Sequence, residues 1–127
     1  MEEKDKEVVA RAVYNCSVCG TEAAAVALVE QKKADGTTQW WIRISGFIGV
    51  VSEVVAGSAV DAFRRYLKSG DAALLPERFA PFYCRQCSKC YCMDHWVCEV
   101  RFDDDFDDFY DCTCGTCPEG HRKMIDD

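Results

Sequence analysis

Eight residues of metal-ligand type stand in four close pairs: Cys16-x2-Cys19, Cys84-x2-Cys87, Cys92-x2-His95 and Cys117-x3-His121. No other feature restricts so strongly what this chain can become. Each pair has the reach of a zinc knuckle, a tight turn that aims two side chains at one ion. A structural zinc takes four nitrogen or sulfur donors in a closed tetrahedron. Four pairs therefore make two complete sites, and two zinc ions are expected.

The spacing leaves the pairing open. Consecutive pairing gives an all-cysteine site (Cys16, Cys19, Cys84, Cys87) and a mixed one (Cys92, His95, Cys117, His121). Crossed pairing gives two sites of three cysteines and one histidine: Cys16, Cys19, Cys92, His95, and Cys84, Cys87, Cys117, His121. Only four residues, 88–91, separate the two middle pairs. A turn that short can carry one pair to each of two separated ions, which argues for crossing. Cys90, Cys98, Cys112 and Cys114 remain. They read as buried or spare thiols, with a third zinc site as the alternative, and CTCGTC permits Cys112 or Cys114 to replace a member of the last pair.

Metal is preferred over disulfides because of the compartment. The N-terminus MEEKDKEVV is charged and lacks the apolar core of a secretory signal. The longest apolar run, Phe47–Val60, contains Glu53 and is shorter than the roughly 20 residues that cross a bilayer. A single soluble, cytoplasmic domain is expected over residues 1–127, and in a reducing cytosol close cysteines hold metal more often than disulfides.

The net charge of −7 is unevenly placed: residues 1–97 carry twelve acidic and twelve basic side chains, residues 98–127 ten and three. Bound thiolates would add to the negative charge. Nucleic acid and anionic membrane are poor partners for such a chain, because phosphate binding calls for a basic face. FDDDFDDFYD (102–111) spaces its aromatics so that a short helix could dock them while its Asp face water. It reads as a solvated acidic face, with recognition of a basic partner as the alternative.

Between the first and second pairs the pattern is that of a small folded segment. Residues 1–10 read as a frayed or weakly helical lead-in. Ala23–Gln31 and Gln39–Ser45 suit two strands joined through Asp35-Gly36, a two-residue hairpin signal. Phe47–Val55 reads as a third strand or a helix. Ser58–Ser69 is the clearest helix, with Ser58 and Asp61 resembling a capping box and Gly70 at the C-cap. Residues 71–83 read as loop. Adjacent Trp40 and Trp41 must point to opposite faces of their strand. Trp96 is expected to pack against a zinc site.

The ligand-rich centre also resembles known families. Cys84-Arg85-Gln86-Cys87-x4-Cys92-x2-His95 resembles the middle of a FYVE finger, a crossed two-zinc treble-clef domain. The ends resemble a RING finger: Cys16-Ser17-Val18-Cys19 its first pair and Cys117-Pro118 its last, with Arg122 where many RINGs place a basic linchpin. This RING-like resemblance, of a prokaryotic ubiquitin-ligase type, covers residues 16–19 and 84–122. It implies a ubiquitin-type conjugating enzyme as partner, held at Val18, Pro118 and Arg122. The chain departs from both families. A 64-residue first loop (20–83) replaces the short RING loop, and Pro81-Phe82-Tyr83 stands where phosphoinositide-binding FYVE fingers carry a basic cluster.

The expected fold is α+β: a small zinc-bound treble-clef, or cross-brace, core at 16–19 and 84–122, with a β-hairpin and helix inserted at 21–83. The expected function is that of a RING-like adaptor with structural zinc, which recruits a conjugating enzyme and has no catalytic residue of its own. A zinc-stabilised protein-interaction module is the first alternative, and a zinc or thiol redox sensor or enzyme the second.

Overall fold

A four-stranded antiparallel sheet forms the N-terminal half of the chain. In the computed structural model, which describes residues 6–47, 49–102 and 110–126, it is a simple meander of β1 (Lys6–Asn15), β2 (Glu22–Lys32), β3 (Thr38–Ser45) and β4 (Val50–Val55). The architecture is mixed, mostly strand with one α-helix.

Residues 6–10 are strand rather than the frayed or helical lead-in the sequence suggested. Val8 faces Val29 and Ala10 faces Leu28, so a bulge at Val9 shifts the side-chain phase. A bulge breaks the period-2 alternation by which a strand is recognised, and the charged start hides the rest. Because β1 precedes Cys16, the sheet is not simply an insertion between the first two ligand pairs. The first pair instead sits in the connection between β1 and β2.

One face of the sheet is core. Val26 and Leu28 of β2 lie opposite Ile44 and Ile42 of β3, all of them buried. Each such side chain taken from water contributes about 1.5–3 kcal/mol. α1 (Val60–Ser69) lies on β1 and β2 and buries Val60, Phe63 and Leu67 on one side. Arg64, Arg65 and Lys68 are exposed on the other. The helix starts at Val60, two residues later than the expected Ser58. A 3₁₀ turn occupies Gly57–Ala59, and Ser58 makes no capping hydrogen bond. Gly70 ends the helix at φ 70°, the left-handed geometry that glycine adopts without a Cβ clash.

The β2–β3 connection also differs from a two-residue hairpin. Thr38 pairs with Lys32, so five residues, 33–37, form the loop. Gly36 N–H donates to the Lys33 carbonyl, and Asp35 accepts from Thr37 N–H at 2.9 Å.

Residues 71–83 contain two 3₁₀ turns, Ala72–Leu74 and Glu77–Phe79. Their polar anchors come from the cysteine-rich half of the chain. Arg85 donates to the Ala73 and Leu75 carbonyls, and Lys123 Nζ to those of Ala80 and Tyr83 at 3.2 and 3.0 Å. Phe79 and Phe82 pack into the same core as the helix and the sheet.

Beyond this loop lie a two-stranded piece, β5 (Tyr83–Cys84) with β6 (Lys89–Cys90), and a three-stranded sheet, β7 (Val97–Phe102), β8 (Tyr110–Thr116) and β9 (Arg122–Asp126). Trp96 joins the halves. Its ring meets Phe47 and Tyr91 edge-on, and its Nε1–H donates to the Tyr91 carbonyl at 2.9 Å. Cys16, Cys84, Cys92 and Cys117 belong to this one buried cluster, so the candidate metal ligands are also core residues. Residues 103–109, where the sequence suggested a short acidic helix, lie outside the described residues. Among those described, no helix is long and apolar enough to cross a membrane.

Candidate metal centres

Each ligand pair is built by local backbone geometry. After β1 the chain turns tightly: Gly20 N–H donates to the Cys16 carbonyl, and Cys16 N–H to that of Thr21 at 2.7 Å. Gly20, at φ 76°, supplies the left-handed residue this turn needs. Cys92 caps, and His95 ends, a 3₁₀ turn at Met93–His95, closed by a 2.9 Å bond from His95 N–H to the Cys92 carbonyl. Cys84 ends β5, and Cys87 follows in the β5–β6 turn, where Ser88 takes φ 57°. Cys117 and His121 bracket the β8–β9 turn, with Cys117 N–H bonded to the His121 carbonyl at 2.9 Å.

These turns bring together two groups of four. Cys16, Cys19, Cys92 and His95 place their donor atoms within 4.8 Å of one another, and so do Cys84, Cys87, Cys117 and His121. The arrangement is the crossed one. The strand-turn of residues 88–91 passes from one cluster to the other, and the Ser17 N–H to Cys90 carbonyl bond, 2.8 Å, holds the first turn against it.

The distances can be tested against a tetrahedral ion. With metal–sulfur bonds of about 2.3 Å and metal–nitrogen bonds of about 2.0 Å, tetrahedral angles put two sulfurs about 3.8 Å apart and a sulfur and a nitrogen about 3.5 Å apart. Cys19 and Cys92 Sγ are 3.7 Å apart, as are Cys87 and Cys117. Both histidines present Nδ1: His95 lies 3.5 Å from Cys16 and 3.1 Å from Cys92. His121 lies 3.6, 3.1 and 3.5 Å from Cys84, Cys87 and Cys117. The ten cysteines form no disulfide. The two Cys3His groups thus have the spacing of two metal ions.

At one cysteine of each cluster, Cys16 and Cys117, the surrounding backbone favours thiolate, the form that binds metal, whereas burial raises the Cys92 thiol. Burial alone would raise the Cys16 thiol, but N–H groups of Cys92, Cys19 and Val18 bring it down to about 6. Burial likewise opposes ionisation of Cys117, yet the His121 and Glu119 N–H groups hold it at about 7. The amides of Val18 and His121 lie 3.4 and 3.3 Å from these two sulfurs.

Cys90, Cys98, Cys112 and Cys114 belong to neither group. Cys90 is half-buried, and burial, with Asp71 and Cys16 nearby, pushes its thiol up to about 11. Of the residues implied by the RING resemblance, Val18 is 55% exposed on the first turn. Pro118 is exposed beside the second cluster. Arg122 is also exposed and pairs with Glu99 at 3.5 Å.

A second surface gathers around Trp41, one of the two adjacent tryptophans expected to face opposite sides of their strand. The outward face of the four-stranded sheet carries Val8 and Arg11 of β1, Val29 of β2, Trp41 and Arg43 of β3, and Val54 of β4. Lys6 lies 5.3 Å over the Trp41 ring, whose Nε1–H donates to Gln31. An open depression of about 410 Å³ lies among Lys6, Trp41, Arg43 and Ser52. Among the described residues, the one ion pair these cations form is that of Arg11 with Glu22, at 4.0 Å. The signal was present in Trp41 and Arg43, which alternate with the core residues Ile42 and Ile44.

The chain belongs to the family described as a domain of unknown function, DUF8328, whose model matches residues 6–127. No curated protein and no solved structure matches it.

Proposed function

We propose that this DUF8328 member is a non-enzymatic protein-interaction module whose ligand-rich half is a treble-clef-like cross-brace held by two zinc ions. The observation that carries the reading is that each cluster already offers four donors at tetrahedral spacing. A catalytic zinc keeps a position open for water or substrate, whereas a closed four-ligand site is structural. Zinc suits three thiolates and one imidazole, and sites of this kind contribute on the order of 10–16 kcal/mol of apparent binding energy each, so metal loading and folding are coupled.

With the metals committed to structure, function falls to surfaces. The outward sheet face combines an aromatic, aliphatic side chains and three cations, Lys6, Arg11 and Arg43, in a chain of net charge −7. Trp and Arg are the residues most often found at the energetic centre of interfaces. The partner that fits is a protein segment bearing apolar and acidic side chains. A photo-crosslinking residue in place of Ser52 tests this in cells. A discrete crosslinked partner that disappears in the Trp41→Ala, Arg43→Glu background is expected. Crosslinks unaffected by those substitutions, or none, would remove the sheet face from the account.

A second reading, recruitment of a ubiquitin-type conjugating enzyme, draws on the crossed ligand order and the exposure of Val18. Val18→Ala or Arg122→Ala would then abolish stimulated ubiquitin discharge while both zinc ions stay bound. Absence of any stimulation by the unaltered protein would eliminate it.

A further inference from the structure

Two of the four cysteines outside the clusters lie side by side. Cys112 and Cys114 are two apart on β8 and so share a face, with their Sγ atoms 3.9 Å apart. On β9, Met124 is the direct cross-strand partner of Cys114, and on β7 the partner is Glu99. Directly opposed residues of antiparallel strands project to the same side with Cβ atoms about 4.5–5.5 Å apart, within reach of a flexible thioether. The reverse side of β8 is core, since a Cβ on Gly115 would run into Ile125 and Trp96. The sulfurs therefore gather on the side away from that contact. Cys112 is buried, Cys114 half-buried, and Met124 is 54% exposed at the rim.

We propose that Cys112, Cys114 and Met124 form a third metal site, distinct from the two Cys3His clusters and selective for a soft monovalent cation of the copper(I) class. The donor set makes the selection. Two thiolates and a thioether are soft ligands of the kind copper(I) takes, whereas zinc sites draw their donors from cysteine, histidine and carboxylate. The carboxylate nearest in register, Glu99, is paired with Arg122 at 3.5 Å. Geometry agrees: with metal–sulfur bonds of about 2.3 Å, a planar three-coordinate ion separates its sulfurs by about 4.0 Å, close to the spacing of Cys112 and Cys114. Binding replaces two S–H bonds by two metal–sulfur bonds and releases two protons to solvent. The bound unit carries a formal charge of −1, with Met124 as the neutral third donor. No ligand of either Cys3His cluster is consumed, so the site is independent of the function proposed above.

Protein loaded with two zinc ions is titrated anaerobically with copper(I) delivered as its bicinchoninate complex, with native mass spectrometry and a zinc-release dye as readouts. The first equivalent is expected to bind with both zinc ions retained and to produce a thiolate-to-copper charge-transfer band. Cys112→Ser with Cys114→Ser is expected to abolish that species. Met124→Leu leaves every thiol in place and so stays interpretable should the double variant fail to fold. Since even outer-shell changes weaken metal sites by 10–100-fold, losing this direct donor should cost copper(I) affinity about tenfold or more. Expulsion of zinc by the first equivalent, or uptake unchanged by these substitutions, would overturn the proposal. A third zinc ion bound with equal affinity in the Met124→Leu variant would overturn it as well.

Discussion

Gly115 lies near the end of β8, two residues before the metal-ligand candidate Cys117, where β8 passes the buried Trp96. A methyl group built on it would sit 2.1 Å from Ile125 Cδ1, and 3.1 Å from both Ile125 Cγ1 and Trp96 Cε3. The two neighbours differ in their freedom to yield. Trp96 is held by its 2.9 Å hydrogen bond to the Tyr91 carbonyl and by edge contacts with Tyr91 and Phe47. Ile125 can rotate its terminal methyl, but it is buried on β9 with little room to do so. Gly115→Ala is therefore an overpacking substitution, expected to cost about 1–3 kcal/mol. Ile125→Val removes the atom 2.1 Å away and, alone, should cost about 0.5–1.5 kcal/mol. Together they should cost less than the sum of the two by about 1 kcal/mol or more, because contacting residues couple. Urea denaturation of the metal-loaded single and double variants gives the cycle directly. Additivity within about 0.5 kcal/mol, the behaviour of independent sites, would refute the packing described here.

Ser58→Ala should change stability by less than about 0.5 kcal/mol, since Ser58 caps nothing, whereas Gly70→Ala should cost about 1–2 kcal/mol for its left-handed geometry; thermal melts separate them. The Tyr14 hydroxyl is buried without a hydrogen-bond partner. Tyr14→Phe should therefore shift stability by less than about 1 kcal/mol, and in the stabilising direction. Burial, then Cys90 and Asp71, push the Tyr14 phenol up from 10.0 to about 12. The folded chain holds that proton while the unfolded one releases it, so stability from this group is complete below pH 10 and is lost as pH rises towards 12. In denaturation at a series of alkaline pH values, the fall in stability between pH 10 and 12 should be shallower in Tyr14→Phe than in the unaltered protein, with the raised Cys90 thiol contributing to both. Lys123→Met removes two charged hydrogen bonds to the loop before Cys84. Its cost should be about 1.5–3 kcal/mol, with zinc leaving the second cluster faster in chelator competition than the first.

Much of the candidate site was readable before the fold was known, because pair spacing is a local property set by turn geometry. The crossed order was also favoured on local grounds, since residues 88–91 are too few to do more than step from one cluster to the next. Strands β2 and β3 and the Gly70 stop carry their own signals. What stayed hidden depended on tertiary context. The Val9 bulge concealed β1, and a favourable-looking Ser58 gave way to a 3₁₀ entry with Ala59 at the cap. The anchoring of residues 71–83 by Arg85 and Lys123 could not be foreseen, as these contacts span up to 43 residues. The sulfur face of Cys112, Cys114 and Met124 likewise required the β8–β9 register.

The central claim, two ions each held by crossed pairs, is tested most directly by replacing zinc with NMR-active cadmium and correlating each cadmium resonance with the ligand protons. Two resonances are predicted. One should couple to Cys16, Cys19, Cys92 and His95, and the other to Cys84, Cys87, Cys117 and His121. A resonance coupled to Cys16, Cys19, Cys84 and Cys87 together would mean consecutive pairing and contradict the account.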